Sequence, residues 1–292
     1  MGSAVLAKVV TLLEMIKFSH TVFAFPFALM GATLAALASG RAPSAAQVGW
    51  ICLAMVGART AAMGLNRIID ARIDAKNPRT AERPLPAGKV TLIESWLLVL
   101  MATAVMLLAA AMLNPLCLLL APVALGFFVL YAYCKRFTAL AHVVLGICLA
   151  AAPIGAWIAL RGDLQWPILV LGAAVLVWVA GFDIFYALQD VEFDRSQGLH
   201  SIPVRLGVKN AILLGKLLHG AMIALLLLLP VGLPLGWLYY AGVAVIGALI
   251  AYEHQLVRAD DLSRLDAAFF NMNGYISVTI FAFTLADVLV LR

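Results

Sequence analysis

The chain is poor in charge. Of 292 residues only 15 are acidic and 20 basic, so charged side chains make up 12% of it. A soluble domain carries about twice that share. With 64% hydrophobic residues and a mean hydropathy of +1.03, there is too little polar surface to clothe the molecule in water. Most of it must face lipid. Cysteine is scarce and scattered: Cys52, Cys117, Cys134 and Cys148 stand in apolar sequence with no Cys-x-x-Cys pair. They read as small hydrophobes in helix packing, against a disulfide framework or a zinc site. His142, His219 and His254 have no spacing that makes them a metal set. The net charge of +5 does not support nucleic-acid binding; its weight lies in where it falls. No cleavable signal peptide is read, because Glu14, Lys17 and His20 interrupt the first apolar run and the run that follows is long enough to span.

Long apolar runs are abundant. A spanning helix needs about 20 largely apolar residues. Nine segments qualify, near 18–39, 47–70, 91–111, 116–134, 138–160, 167–189, 211–230, 234–253 and 270–290. Runs such as 225–229 lack the period-two alternation of a barrel strand. The expected fold is therefore all-α: a polytopic membrane protein of nine transmembrane helices, with 1–292 as a single domain. The joins alternate in charge. One side carries Arg67, Arg72, Lys76, Arg79, Arg83 and Lys89, then Lys135 and Arg136, then Arg195, Arg205 and Lys209, then Arg258 and Arg264; the other offers Arg41 and Arg161. The positive-inside rule makes the rich side cytoplasmic, with the N-terminus inside and the C-terminus outside.

Five of the few carboxylates stand in two helical registers on that rich side. Asn66, Asp70 and Asp74 follow one another at four-residue spacing, and Asp183, Asp190 and Asp194 at seven and then four. On a continuous helix the first set fans by roughly 40° per step, and the second lies within about 40° overall. Half-buried carboxylates repel one another and resist desolvation, so such clusters need a cation to persist. Magnesium takes oxygen ligands, usually a few carboxylates completed by substrate phosphates and water. Ordinary interfacial charges, paired to Arg67, Arg72 or Arg195, are the plainer reading of each residue taken singly. Asp183 resists it, since it lies deeper in its apolar segment. The neighbouring basic residues suit an anion such as diphosphate, and residues 77–88, dense in proline and glycine, imply a shaped loop. His20 is a candidate for an aromatic acceptor's hydroxyl or carboxylate, or a packed interfacial histidine, and Arg59, a cation inside a span, needs a partner there, an acceptor carboxylate or a cavity carboxylate. Tyr186, one turn from Asp183 and Asp190, is kept as a candidate too.

Residues 66–74, Asn-Arg-Ile-Ile-Asp-Ala-Arg-Ile-Asp, followed by 77–86, Asn-Pro-Arg-Thr-Ala-Glu-Arg-Pro-Leu-Pro, resemble the first signature of the UbiA superfamily of intramembrane aromatic prenyltransferases. Residues 183–194, Asp-Ile-Phe-Tyr-Ala-Leu-Gln-Asp-Val-Glu-Phe-Asp, resemble its second, and 135–138 and 201–207 also fit. The resemblance implies a helical bundle around a central cavity in the bacterial inner membrane, capped on the cytoplasmic side and open laterally to lipid. It implies Mg²⁺ held with Asn66, Asp70, Asp74, Asp190 and Asp194. It also implies a polyprenyl diphosphate donor met by Arg67, Arg72, Arg79 and Lys135 or Arg136, and catalytic standing for Asp70, Asp74, Asp183, Tyr186, Asp190 and Asp194. The acceptor would be an aromatic acid of quinone biosynthesis, a hydroxybenzoate or a dihydroxynaphthoate. Where ubiquinone-type members carry Asp-Lys-Pro in the first helix, this chain has Lys17-Phe18-Ser19-His20-Thr21. That stretch, with 57–63 and 181–184, looks more like the branch associated with menaquinone made through futalosine. A haem-farnesylating relative is the other enzyme reading. An ion-coupled transporter is the rival from another class, although its key charges would lie near the bilayer midplane.

Overall fold

A computed structural model of the chain describes residues 2–17, 24–257 and 272–290, with side chains from Leu6 onward. Among the described residues there is no strand. The helices are α1 (Gly2–Met15), α2 (Phe25–Ser39), α3 (Ala45–Asp74), α4 (Leu92–Leu113), α5 (Pro115–Cys134) and α6 (Ala141–Arg161). They continue with α7 (Trp166–Ala187), α8 (Val191–Ser196), α9 (Ile202–Leu206), α10 (Val208–Leu228), α11 (Trp237–Leu256) and α12 (Asn273–Val290).

Local chemistry sets many of the ends. Pro26, Pro115 and Pro167 occupy first turns, where the missing N–H has no intrahelical partner to lose. Thr91 and Glu94 cap α4 reciprocally: the Glu94 N–H donates to Thr91 Oγ1 at 3.2 Å and the Thr91 N–H to Glu94 Oε2 at 2.7 Å. Gly40 (φ 64°) and Gly162 (φ 71°) close α2 and α6 in the left-handed conformation that glycine adopts without strain.

Seven described helices are long and apolar enough to cross a membrane: α3, α4, α5, α6, α7 continued through Ser196, α10 continued to Val231, and α12. The chain is thus an all-α polytopic membrane protein. The sequence suggested nine crossings; among the described residues, the helices in two of those segments, α2 and α11, fall short of that length or hydropathy. Helix α2, preceded by a turn at Ala24, has 15 residues, short of the ~20 a crossing needs; residues 18–23 of that expected span lie outside the described residues. The last turn of α11 carries Glu253, His254 and Gln255, which lower its hydropathy.

The backbone gathers into two compact units, one of α1, most of α3, α4 and α5, the other of α2 and α6 to α12. In the first, Met15, Ile16 and Val90 are buried with Met63, Leu85 and Leu98 around them. Gly57 lets α3 approach α4: a Cβ there would stand 2.8 Å from the Ala102 carbonyl oxygen. In the second, α7 is central, with 67% of its apolar stretch buried, as expected of a helix that is apolar all round. Trp178 packs its ring 5.1 Å from Phe27 and 5.0 Å from Phe182. Lipid is as apolar as these side chains, so close packing holds such helices together and small residues mark the seams. Gly146 of α6 is one, where a Cβ would lie 2.5 Å from the Leu176 carbonyl oxygen of α7. Asp287 of α12 caps α11 across the bundle, accepting from the Gly236 N–H at 2.7 Å and the Tyr239 N–H at 3.2 Å.

Candidate functional site

The first acidic register rides the last turns of α3, one unbroken helix of 30 residues. Asn66 and Asp70, both half-buried, meet as i and i+4: Asn66 Nδ2 donates to Asp70 Oδ2 at 2.8 Å. Arg67 is only 6% exposed. Its Nε donates to the Met15 carbonyl at 3.1 Å and its Nη1 to Asn66 Oδ1 at 3.3 Å. Asp74, 7% exposed, takes Arg83 Nη1 on both oxygens, at 2.8 and 2.7 Å, with Arg67 Nη1 farther off at 3.9 Å. Thr80 Oγ1 donates to the Asp74 carbonyl at 2.9 Å. Backbone bonds from Thr80 and Ala81 to Asn77, from Ala87 to Arg83 and from Val90 to Pro84 then fold residues 77–90 into successive turns. The loop is shaped, as its prolines and glycine suggested. Arg72 and Arg79 stand exposed beside it.

The second register is not one helical face. Helix α7 stops at Ala187, a tighter 3₁₀ turn runs over Leu188–Asp190, and α8 starts at Val191. The Leu188 N–H already reaches back to Phe185 and Tyr186. At about three residues per turn the phase of Asp190 and Asp194 is rotated away from Asp183. Nothing in the one-dimensional spacing announces that break. Asp183, in the last turns of α7, pairs with His142: His142 Nδ1 and Asp183 Oδ2 are 2.7 Å apart. Asp190 and Asp194 stay together, the first repelling the second electrostatically. Both are buried, Asp194 to 2% exposure. Lys135 Nζ stands 3.6 Å from Asp194 Oδ2, and the Ser201 side chain also hydrogen-bonds Asp194. Tyr186 and Arg136 are half-buried at the same ends of their segments.

Arg59 lies within α3, and its Nε is buried without a hydrogen bond. Tyr131 of the same unit is close enough to act on it electrostatically. His20 lies outside the described residues. All four cysteines are free. His142 is the residue that sequence reasoning passed over: its partner is 41 positions away, and no local pattern links them.

Asp190 and Asp194 are two buried carboxylates that repel each other electrostatically, and the donors of both registers are oxygens. That donor set suits magnesium. Among the described residues no three His, Cys, Asp or Glu side chains are grouped so as to hold a metal ion by themselves. Magnesium needs no such group, since substrate phosphates and water fill its remaining positions.

A family model for UbiA prenyltransferases matches residues 24–275. The chain belongs to the UbiA prenyltransferase family. Membership makes it a prenyltransferase and not a carrier. It is 34% identical over 231 residues to the 4-hydroxybenzoate octaprenyltransferase of Vibrio cholerae serotype O1, covering 79% of this chain and 80% of that one. A UbiA homolog from Aeropyrum pernix K1, solved without ligand, superposes with a TM-score of 0.83 at 36% identity, over 92% of this chain and 98% of that one. A UbiA homolog from Archaeoglobus fulgidus, solved with DMAPP and Mg²⁺, shares the fold at a TM-score of 0.70 and 18% identity, over 96% and 99% of the two chains.

These relatives correct one expectation. The UbiA-family branch indicated is the ubiquinone one: Vibrio, Citrobacter and Salmonella relatives are all 4-hydroxybenzoate octaprenyltransferases. Of the three short stretches that resembled the futalosine branch, residues 18–21 lie outside the described residues, and the glycines of the other two have a packing role in the fold. Gly57 is a seam between α3 and α4. At Gly181 a Cβ would stand 2.5 Å from the His219 ring. Both glycines serve packing, which says nothing about the acceptor.

Proposed function

We propose that this UbiA-family enzyme transfers a polyprenyl chain from its diphosphate to a 4-hydroxybenzoate-type aromatic acid, with Mg²⁺, in quinone biosynthesis at the bacterial inner membrane. One observation carries the site: Asp190 and Asp194, buried side by side against Lys135, in a chain 34% identical to an octaprenyltransferase of that acid. Asn66, Asp70, Asp74, Asp190 and Asp194 are the proposed metal ligands. When bound, magnesium supplies positive charge against the negative charge growing on the departing diphosphate. Arg67, Arg72, Arg79, Lys135 and Arg136 add cationic donors for its oxygens. Asp70, Asp74, Asp183, Tyr186, Asp190 and Asp194 make up the catalytic set. As the allylic C–O bond breaks, its electron pair leaves with the diphosphate. The electron-rich ring carbon forms the new bond and then releases its proton. An apolar surround keeps water from the allylic cation, and no covalent bond to the enzyme is required.

Arg59, with a buried Nε lacking a partner, is the proposed site of the acceptor's carboxylate, with His20 on its hydroxyl. The finer topology belongs to the same reading: nine crossings around a cavity in one domain, the N-terminus cytoplasmic, the C-terminus outside and the site facing the cytoplasm. In the second unit two basic joins do share one end, since the His200 N–H donates to the Lys135 carbonyl at 2.7 Å, which supports it. The test is purified protein with polyprenyl diphosphate, 4-hydroxybenzoate and Mg²⁺, read by mass spectrometry. Ring-prenylated acid that disappears on chelation is expected. No product with all three present overturns the proposal.

A further inference from the structure

His142 has no part in the scheme so far, yet it is fully buried at the first turn of α6 and touches two other segments. The Ile202 N–H, at the start of α9, donates to its Nε2 at 3.4 Å. That nitrogen is therefore an acceptor, and the ring proton sits on Nδ1, directed at Asp183 Oδ2 2.7 Å away. Hydrogen bonding fixes the tautomer. Asp183 Oδ1 has no hydrogen-bond partner among the described residues, and the carboxylate keeps 15% of its side chain exposed. One oxygen is held and the other is presented.

The segment that His142 grips is held along its length. The Leu199 N–H donates to the Asp194 carbonyl at 2.8 Å and the His200 N–H to the Lys135 carbonyl at 2.7 Å. The Ile202 N–H goes to His142, and the Ser201 side chain bonds the Asp194 carboxylate. The loop over 199–202 thus ties together the Lys135 end of α5, the start of α6 and the acidic turn after α7. Among the described residues His142 is its one side-chain link to Asp183.

We infer that His142 is a positioning residue for the transfer reaction: as the Nδ1–H tautomer it orients the Asp183 carboxylate and locks it to the 199–202 loop. The inference rests on the proposed prenyl transfer. A carboxylate left to rotate loses its aim, and misplacement of about 1 Å costs up to ~100-fold in rate.

The test is a double-mutant cycle on the full chain in detergent micelles, reading kcat and both KM values with the substrates named above, after thermal unfolding has shown each variant folded. His142→Ala lowers kcat roughly 10- to 100-fold with little change in donor KM. His142→Asn, whose amide Nδ2 can stand where Nδ1 stood, recovers most of that loss. Adding His142→Ala to Asp183→Asn changes kcat by less than about twofold. Independent losses in the double variant, or an unaffected kcat in His142→Ala, would overturn the inference while wild-type turnover leaves the function standing. Absent wild-type turnover would overturn both. Nitrogen-15 NMR of the histidines in unmutated protein gives a check that needs no variant: a protonated Nδ1 and bare Nε2 at His142 are expected, and the opposite tautomer refutes the assignment.

Discussion

Replacing Arg83 with methionine isolates the bond that ties the loop over 77–90 to the end of α3. The change removes two charge-assisted contacts, at 2.8 and 2.7 Å. It leaves Asp74, 7% exposed, with Arg67 Nη1 at 3.9 Å as the remaining side-chain cation among the described residues. Hydrogen bonds to charged groups contribute about 1.5–3 kcal/mol, and stripping one partner from a fully buried ion pair costs about 3–5 kcal/mol. Arg83 keeps 21% of its side chain exposed, so water already reaches the pair and the lower range governs. We expect Arg83→Met to destabilise by about 2 kcal/mol. Asp74→Asn, which leaves Arg83 free to turn to solvent, should cost about half as much by the same reasoning. The double variant should then be little worse than Arg83→Met, a coupling of about 1 kcal/mol. Equilibrium unfolding in micelles for all four proteins measures this. Effects that add to within about 0.5 kcal/mol would show that the pair is a surface coincidence and that the loop is held by its backbone turns alone.

Three further outcomes follow from the fold. Asp287→Ala strips the cap from α11 and leaves the Gly236 and Tyr239 N–H groups without their acceptor, which should cost about 1–3 kcal/mol in thermal unfolding while product formation persists. Gly146→Val drives a side chain into the Leu176 backbone, which has no rotamer with which to yield, and should destabilise by about 1–3 kcal/mol or more; an unchanged Tm would mean that α6 and α7 are not packed as described. In the join after α6, hydrogen bonds from Arg161 at 3.0 Å and from Trp157 at 3.2 Å hold the Asp163 carboxyl below its ordinary range, Arg161 first. A depressed carboxyl stabilises the fold above its unfolded pKa and loses that contribution as pH falls through its folded value. Asp163→Asn should therefore flatten the acid side of the stability curve, by a small amount because the group is exposed.

Much of this was legible in the sequence because membrane helices advertise themselves by length and hydropathy. Residues 66, 70 and 74 share a face as their spacing requires, because α3 runs unbroken beneath them. The second register misled because residues 183–194 contain no proline or glycine to mark the 3₁₀ turn at Leu188–Asp190; its cause is tertiary. The same holds for His142, whose imidazole gains its meaning from Asp183 and Ile202, each far away in sequence. Asp287, buried, is likewise revealed as a cap only by packing. The branch assignment failed for a related cause: a few short stretches were weighed as acceptor markers when two of their glycines are packing seams.

The central claim is that both acidic registers serve one magnesium-dependent transfer. The most direct measurement is the rate of prenyl transfer to 4-hydroxybenzoate by folded Asp70→Asn and Asp190→Asn variants, each titrated with Mg²⁺. Each carboxamide should lower the rate by about 100-fold or more, with an Mg²⁺ requirement shifted to higher concentration. Wild-type rates at the wild-type Mg²⁺ requirement in either variant would contradict the account.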